Sequence, residues 1–241
     1  MHVTSIAIDH GRFPANDCYP FNLPVIRETG AIAFMRPVTC FVGENGSGKS
    51  TFLKAVARAS GIHLWGEVDR PRYERNPYEQ RLWGSLDVTW TDGPVPGSFF
   101  DSQTFRSYTR LVDEWASADP AMLSHFGGRS LVSQSHGQSL MAYFINRYTK
   151  PGLYFLDEPE TALSPKTQLH LRDLIAEMAA AGHAQFILAT HSPILMSIPG
   201  ADLYTFDTCP VSEIACEDTE HYRVWREFVR GMEEGDVSGN V

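Results

Sequence analysis

The stretch GENGSGKS, residues 43–50, joins glycines to a lysine and a serine in the order G-x-x-x-x-G-K-S. The glycines let the backbone curl until successive N–H groups point inward, where they can donate to phosphate oxygens. A helix beginning near Lys49 would add the positive end of its dipole. Lys49 would reach the β- and γ-phosphates, and the Ser50 hydroxyl would ligate Mg²⁺. The spacing therefore predicts a site for a nucleoside triphosphate and its metal.

The residues around this loop favour phosphate binding over a glycine turn with a surface lysine. Val38 to Val42 form a β-rich run that predicts a strand, and STFLKAVARAS after the loop predicts a helix. The loop alone does not identify the function, since kinases, GTPases, motors and transporters share it. The residues expected to contact the nucleotide here are Gly43, Glu44, Asn45, Gly46, Ser47, Gly48, Lys49, Ser50 and Thr51.

Two adjacent acids follow a second apolar run. Leu153 to Leu156 are all apolar, as in a parallel strand buried on both faces, and Asp157 and Glu158 come next. Ligands bind at the carboxyl edge of the sheet in open α/β folds. Asp157 would hold Mg²⁺ through water, and Glu158 would orient and deprotonate the attacking water. The alternative is that the acids only cap the next turn, but their mutual repulsion favours a nearby cation.

A histidine follows a third apolar run. Phe186 to Ala189 predict another buried strand, and His191 comes just after its end, where it could donate a hydrogen bond to a γ-phosphate. A lone histidine is more often structural, and that alternative stays open. Between the two strands, Ser164 and Pro165 predict the start of a helix, and Gly182 predicts its end. The result is a strand–helix–strand unit, as a parallel sheet requires.

Composition limits the class of protein. The chain has 241 residues, of which 43% are apolar, enough for one large domain with a sizeable core. No stretch approaches the ~18–20 apolar residues of a membrane span, and the N-terminus lacks the pattern of a signal peptide. We therefore expect no membrane partner. The net charge of −9 gives no support to DNA as a partner, although a local basic patch would still allow one.

The cysteines indicate a reducing compartment. They form no CxxC pair and have no metal-ligand spacing, so we interpret them as reduced thiols in a cytoplasmic protein. Their simplest role is that of small buried hydrophobic side chains. The four are Cys18, Cys40, Cys209 and Cys216.

Taken together, GENGSGKST, SQSHGQSL, LYFLDEPETALSP and LATHSPIL resemble the motifs of an ATP-binding-cassette (ABC) ATPase. More narrowly, with YPFNLPVIR and THSPILMSIPGA, the chain resembles small stand-alone bacterial AAA-family ATPases from about residue 3 to about residue 230. These are related to the head domains of chromosome-maintenance and recombination-repair ATPases more than to transporter subunits. The resemblance implies an α/β P-loop fold with a mostly parallel central sheet flanked by helices, a small antiparallel β lobe and a short helical lobe. It also implies ATP and Mg²⁺ as ligands.

The resemblance assigns a role to the polar run before the acids. ABC ATPases have a serine-glycine-glycine-glutamine element that opens a helix about twenty residues before the aspartate and contacts the ATP held by a partner subunit. Here the matching residues are Ser135, His136, Gly137 and Gln138, and Gln138 precedes Asp157 by 19 positions. A histidine replaces one family glycine. The alternative is an ordinary helix cap by Ser133 or Ser135.

Three further family positions are less well matched. The glutamine that joins the helical lobe to Mg²⁺ and water would be Gln103, with a polar loop residue as the alternative. Ser164 stands where the family has an aspartate, which weakens coupling across a dimer through this loop. The aromatic side chain that stacks on adenine would be one of Phe13, Tyr19 and Phe21.

We expect a single ABC-type domain over residues 1–241, with a β insertion at 61–101 and a short helical lobe at 104–150. SLDVTW would be an edge strand of a small antiparallel sheet, and the segment GEVDRPRYERNPYEQR would be a solvated loop or a partner-binding segment. A C-terminal helix from about residue 218 to residue 232 would pack on the core or, alternatively, dock a partner. Its apolar face contains Tyr222, Trp225, Val229 and Met232.

The main functional hypothesis is an ATPase that closes and reopens as a head-to-tail homodimer, in a soluble regulator or in DNA maintenance or defence. A protein effector, not identified by the sequence, would complete that role. The first alternative is a nucleotide-gated binding module with negligible turnover, acting as a clamp on DNA, a nuclease or a toxin. The second is the ATPase subunit of a transporter, which the short helical lobe disfavours.

Overall fold

The computed structural model describes residues 1–64, 76–119, 121, 123 and 128–234, apart from the side chains of residues 106, 136 and 162. Most of the segment GEVDRPRYERNPYEQR therefore lies outside the described residues, and its interpretation as a loop or partner-binding segment stays a prediction. The same holds for the side chain of His136.

The described strands divide between two sheets. The central sheet has the order β5-β6-β7-β3-β8-β9, and all neighbours are parallel except β8 and β9. The smaller sheet has the order β2-β1-β4 and is antiparallel. The strands are β1 (Val3–Ile8), β2 (Ala31–Ala33), β3 (Val38–Val42), β4 (Leu86–Trp90), β5 (Gly97–Asp101), β6 (Gly152–Asp157), β7 (Ala184–Ala189), β8 (Asp202–Thr205) and β9 (Ser212–Glu213).

Helices cover both faces of the central sheet. The three sequence-predicted strands are confirmed as β3, β6 and β7, and every residue in them is buried because helices pack on either side. The helices are α1 (Pro24–Glu28), α2 (Lys49–Ala59), α3 (Ser102–Ala118), α4 (His136–Tyr148), α5 (Pro165–Ala180), α6 (Pro193–Met196) and α7 (Glu220–Glu233). The predicted α/β fold, with a parallel central sheet and a small antiparallel one, is confirmed.

The buried apolar residues that the structure describes form two clusters, one on each side of the central sheet. On one side, α3, α4 and α5 cover an aromatic group in which the Phe144 ring lies 4.9 Å from Phe100 and 5.3 Å from Tyr148. On the other side, α2 and the smaller sheet cover Phe41, whose ring lies 5.1 Å from that of Phe206. The central sheet is thus held rigidly between two apolar layers, and its carboxyl edge carries the side chains described below.

The predicted β insertion needs a correction. SLDVTW does form an edge strand, since β4 pairs with β1 at the margin of the smaller sheet. However, β5 lies in the central sheet, parallel to β6, with Phe99 and Phe100 buried. Residues 97–101 therefore belong to the main sheet and not to an insertion. The pairing of β5 with β6 joins residues that are far apart in the sequence. The alternation of residue types within a strand does not indicate which strand is its partner.

The interpretation of α7 as a helix packed on the core is wrong for most of its length. No residue of α7 is buried, and Val224, Trp225, Phe228 and Met232 are each more than half exposed. Thr219, which caps the helix, is the buried anchor of this segment. Across the described ranges, none of the helices is both long enough and apolar enough to cross a bilayer.

Candidate functional site

The glycine-rich loop lies between the end of β3 and the start of α2. Gly43, Gly46 and Gly48 all have positive φ angles, of 141°, 80° and 102°, which side chains rarely tolerate. Gly48 is the N-cap of α2, so the positive end of this helix faces the loop. Such a backbone forms a concave surface of N–H groups that suits phosphate.

Lys49 holds the loop together from within. Its Nζ atom donates to the carbonyl oxygens of Gly43 at 2.7 Å and Glu44 at 2.8 Å, and it lies 3.3 Å from the Ser47 hydroxyl. Burial lowers the pKa of the ammonium group, against the opposing effect of nearby acids led by Asp207. A partly desolvated ammonium group among carbonyl oxygens is well prepared to exchange them for phosphate oxygens.

Asp207 supports the loop from below, a role that the motif analysis missed. Its Oδ1 atom accepts from the backbone N–H of Glu44 at 2.7 Å. A Cβ atom at Gly43 would approach Oδ1 of Asp207 to 2.7 Å, so the loop fits closely over this carboxylate. The only sequence signal would have been an acid shortly after the end of a strand.

Asp157 lies at the end of β6, directly opposite Asp101 at the end of β5. Lys54, from α2, bridges them: its Nζ atom lies 3.2 Å from Asp101 and 3.3 Å from Asp157. Burial raises the pKa of Asp157, with Lys54 and a hydrogen bond from Ser50 opposing that effect. Asp157 Oδ1 is buried and has no hydrogen-bond partner among the residues described. The sequence analysis missed Asp101 and Lys54, whose roles arise only from strand pairing.

Glu158 adopts a left-handed backbone conformation with a φ of 46°. Its N–H donates to the carbonyl oxygen of Ala189 at the end of β7, which fixes this turn against the neighbouring strand. Non-glycine residues in this conformation cost about 1–3 kcal/mol and cluster at functional sites. The side chain is one-third exposed, and its Oε1 lies 3.9 Å from Nε2 of His191.

His191 follows β7 and is held by two side chains. Its backbone N–H donates to Oε1 of Glu160, which also accepts from the Thr190 hydroxyl at 2.8 Å. Its ring atom Nδ1 lies 2.9 Å from Nε2 of His221 on α7. Burial lowers the pKa of His191, and the charge of Lys49 lowers it further, so both effects favour the neutral form of the ring. Neither Glu160 nor His221 was identified from the sequence.

The loop, the acids and His191 thus lie on three neighbouring strands, and comparison with known proteins identifies the family. Residues 38–111 and 139–197, more than half of the chain, match the family described as "AAA domain, putative AbiEii toxin, Type IV TA system". The chain belongs to this family of AAA-type ATPase domains.

Similar proteins agree with this assignment. The cytochrome c biogenesis ATP-binding export protein CcmA of Paramagnetospirillum magneticum is 32% identical over 187 residues, which cover 71% of this chain and 82% of CcmA. The hemin import ATP-binding protein HmuV of Bradyrhizobium diazoefficiens is 27% identical over 218 residues, covering 83% of this chain and 79% of HmuV. This chain is accordingly an ATP-binding ATPase of the ABC type.

A solved structure shares the fold. The SMC head bound to the C-winged helix domain of ScpA has a TM-score of 0.52 to this ATPase domain at 13% identity. The alignment covers 89% of this chain and 98% of that one. The two proteins therefore have the same arrangement of sheet and helices.

In this ATPase domain, the run from Ser135 to Gln138 forms the start of α4. Ser135 is the N-cap: its Oγ accepts from the Gln138 N–H, and the Gln138 side chain accepts from the Ser135 N–H at 3.1 Å. This reciprocal capping box matches the local alternative considered above. Ser135 and Gln138 are nevertheless exposed, so the helix start is accessible from outside its own chain.

Gln103 lies in the first turn of α3, with its side chain exposed and its N–H donating to Asp101 Oδ1 at 2.8 Å. Among the three aromatic candidates, Phe21 is fully buried and its ring packs 4.8 Å from Phe13. Tyr19 instead lines two small cavities, of about 290 and 160 Å³, beside the glycine-rich loop, and its hydroxyl contacts Thr51. Of the three aromatic side chains, Tyr19 is thus the one that lines the cavities beside the phosphate loop.

Proposed function

We propose that this ATPase domain binds ATP with Mg²⁺ at the carboxyl edge of its central sheet and hydrolyses it within a head-to-tail homodimer. The cycle of dimer closure and reopening would be its output, acting on a protein effector. The phosphates would lie in the loop of residues 43–51, against Lys49. Tyr19 would contact the adenine from the neighbouring cavity.

One observation carries this proposal. The strands β6, β7 and β3 are neighbours in the sheet, and each is followed at the same edge by part of the predicted site. The acids Asp157 and Glu158 follow β6, His191 follows β7, and the glycine-rich loop follows β3. Because parallel strands end together, one triphosphate lying in the loop would reach all of these side chains.

The residues at this edge fit a magnesium ion. Asp157 has one buried carboxylate oxygen that finds no partner within the described residues, and its carboxylate accepts a hydrogen bond from Ser50. Mg²⁺ prefers oxygen ligands such as carboxylates together with those of a phosphate. Ser50 would ligate the ion, Asp157 would hold it through water, and Gln103 would be a further ligand. Bound there, the ion would neutralise charge that develops on the phosphates.

Glu158 and His191 would act on the reaction itself. Glu158 lies in a strained turn with its carboxylate partly exposed, and it would orient and deprotonate the attacking water. His191 would donate a hydrogen bond to the γ-phosphate, where negative charge increases in the transition state.

A second copy of the chain would complete the enclosure. The exposed start of α4 offers the Ser135 hydroxyl and the N–H groups of the first turn that the capping box does not use. At a helix N-terminus these would favour a γ-phosphate held by the partner. In this proposal the capping box keeps the first turn of α4 ordered in the monomer, so that the turn needs no rearrangement when the dimer closes.

The substitution Glu158→Gln tests the proposal. The variant should bind ATP as the wild type does, lose turnover by about 10²-fold or more, and accumulate as a dimer with ATP. Glu177→Gln, on the exposed face of α5, is the matched control and should leave all three properties unchanged. Full turnover in Glu158→Gln would exclude Glu158 as the base.

The two rival functions differ in measurable ways. A binding module with negligible turnover would show no repeated release of phosphate from the pure wild-type protein. Ser164, which replaces the family aspartate, caps α5 because its hydroxyl oxygen accepts from the Thr167 N–H at 3.3 Å, so its presence has a local explanation. A transporter subunit would co-purify with a membrane protein, as the names of the two relatives above would suggest.

A further inference from the structure

Two histidines lie in contact beside the proposed base. Nδ1 of His191 lies 2.9 Å from Nε2 of His221, and the ring centroids are 5.0 Å apart. On its other side, Nε2 of His191 is buried, has no hydrogen-bond partner among the described residues, and lies 3.9 Å from Glu158 Oε1. The ring of His191 is therefore situated between His221 and the catalytic edge.

This arrangement restricts the hydrogen positions. Two facing ring nitrogens at 2.9 Å need one hydrogen between them, supplied by either ring. If His191 supplied it from Nδ1, a neutral ring would turn a bare lone pair of Nε2 toward the carboxylate of Glu158, and the two would repel. If His221 supplies it, Nε2 of His191 carries the hydrogen and faces the carboxylate favourably. The second arrangement has the lower electrostatic energy.

We propose that His221 is a positioning residue: it donates to Nδ1 of His191 and thereby holds His191 as the tautomer protonated at Nε2, with that N–H directed at the catalytic edge. The consequence for catalysis rests on the proposed function, in which this N–H is donated to the γ-phosphate. The tautomer itself does not depend on any reaction.

The surroundings of His221 suit such a role. His221 lies in the first turn of α7, two residues after Thr219, whose hydroxyl caps the helix and is buried against Met196 of α6. The helix α6 begins two residues after His191. The contact between Thr219 and Met196 therefore holds the start of α7, which carries His221, close to His191. Most of α7 after Tyr222 is exposed, so the buried N-cap Thr219 lies close to the contact between the two histidines.

The backbone of His191 is fixed independently of its ring. Glu160 accepts from the His191 N–H, and the side chain of Ser192 caps α6. Loss of His221 should therefore release the ring without unfolding the loop that carries it. The charged groups around the ring are Lys49, Glu158 and Glu44, which remain in every variant used below.

The first experiment reads the tautomer directly. Protein with ¹⁵N-labelled histidine is studied by long-range ¹H–¹⁵N NMR without nucleotide near pH 8, and His191→Gln identifies the His191 signals. The wild type should show His191 protonated at Nε2 alone, and His221→Leu should show a mixture of tautomers. In His221→Gln the amide N–H₂ can replace the donor and should restore the wild-type pattern. His170→Leu, on the exposed face of α5, is the control.

Two NMR outcomes would overturn the proposal. One is a wild-type His191 protonated at Nδ1, and the other is an identical His191 pattern in the wild type and His221→Leu. Circular dichroism of each variant checks that the fold is retained. Full activity of Glu158→Gln would refute the proposed function. It would not affect the tautomer of His191, which the NMR experiment tests separately.

The second experiment measures steady-state hydrolysis. His221→Leu should lower kcat about tenfold while KM for ATP changes less than about twofold, because the N–H matters most when charge increases in the transition state. His221→Gln should recover most of kcat. A rise in KM with an unchanged kcat, or equal losses in both variants, would show that His221 acts on binding or on structure and not through the His191 ring.

Discussion

Glu160 is the acid whose removal best tests how the site is held. Its Oε1 accepts from the Thr190 hydroxyl and the His191 backbone N–H, and its Oε2 is buried without a partner in the described part of the chain. Burial raises the pKa of Glu160, with the hydrogen bond from the His191 backbone as the main opposing effect. The two substitutions Glu160→Ala and Glu160→Gln separate the loss of an acceptor from the loss of a charge.

The expected magnitude follows from the two donors. Glu160→Ala leaves the Thr190 hydroxyl and the His191 N–H without their acceptor, at about 1–3 kcal/mol for each buried donor. Removal of a poorly solvated carboxylate offsets part of this loss, so we expect the free energy of unfolding to fall by about 2–4 kcal/mol. Glu160→Gln keeps a carbonyl oxygen at the same position, and its free energy of unfolding should stay within about 1 kcal/mol of the wild type.

The pH dependence of stability gives an independent check. Because the pKa of Glu160 is raised above its ordinary value of 4.5, the folded state binds more protons than the unfolded state between the two values. The contribution of Glu160 to stability is therefore largest in acid and falls as the pH rises through its pKa in the fold. Glu160→Gln lacks this contribution, so its free energy of unfolding should rise relative to that of the wild type as the pH increases from 4.5 through the pKa of Glu160 in the fold.

Urea unfolding followed by circular dichroism, at a series of pH values from 4.5 upward, measures these differences. Glu177→Gln, an exposed substitution on α5, controls for the loss of a negative charge from the whole chain. Equal losses in Glu160→Ala and Glu160→Gln would refute the reasoning from acceptors. A difference between the wild type and Glu160→Gln that stays constant with pH would refute the reasoning from burial.

Two further predictions concern the elements that position the site. At Gly97 a Cβ atom would collide with the carbonyl oxygen of Leu153, so Gly97→Ala should separate β5 from β6 and lower the free energy of unfolding by about 3 kcal/mol. Gly84→Ala, where space is open, should change it by less than about 0.5 kcal/mol, and similar urea midpoints for the two would contradict the strand pairing. Phe144→Ala, in the core, should cost about 3–5 kcal/mol in the same assay, and Phe228→Ala, on exposed α7, less than about 1 kcal/mol. A comparable loss at Phe228 would mean that α7 is packed after all.

Local sequence patterns predicted the central strands and the phosphate loop. The apolar runs at β3, β6 and β7 read as strands because a strand buried on both faces must be apolar throughout. The turn of residues 43–50 was recognisable because its backbone requires glycine at particular positions. Asp157, Glu158 and His191 were found because strands that run parallel end at one edge. All of these inferences depend on neighbours in the chain.

The features that the sequence analysis missed depend on residues that are distant in the chain. Nothing in the local sequence distinguishes Lys54 from other helical lysines. Its role arises because the pairing of β5 with β6 places two aspartates beside its ammonium group. Likewise His221 and His191 are 30 residues apart, and only the packing of α7 on α6 brings their rings together.

The sequence by itself thus determined the family, the phosphate loop and the motifs that follow the central strands. These properties depend on residues that are close together in the chain. The tertiary structure alone decided the place of β5, the exposure of α7 and the partners of Lys54 and His191. The physical reason is that a side chain's role depends on what packs against it, and packing of distant segments leaves no periodic signature in the chain.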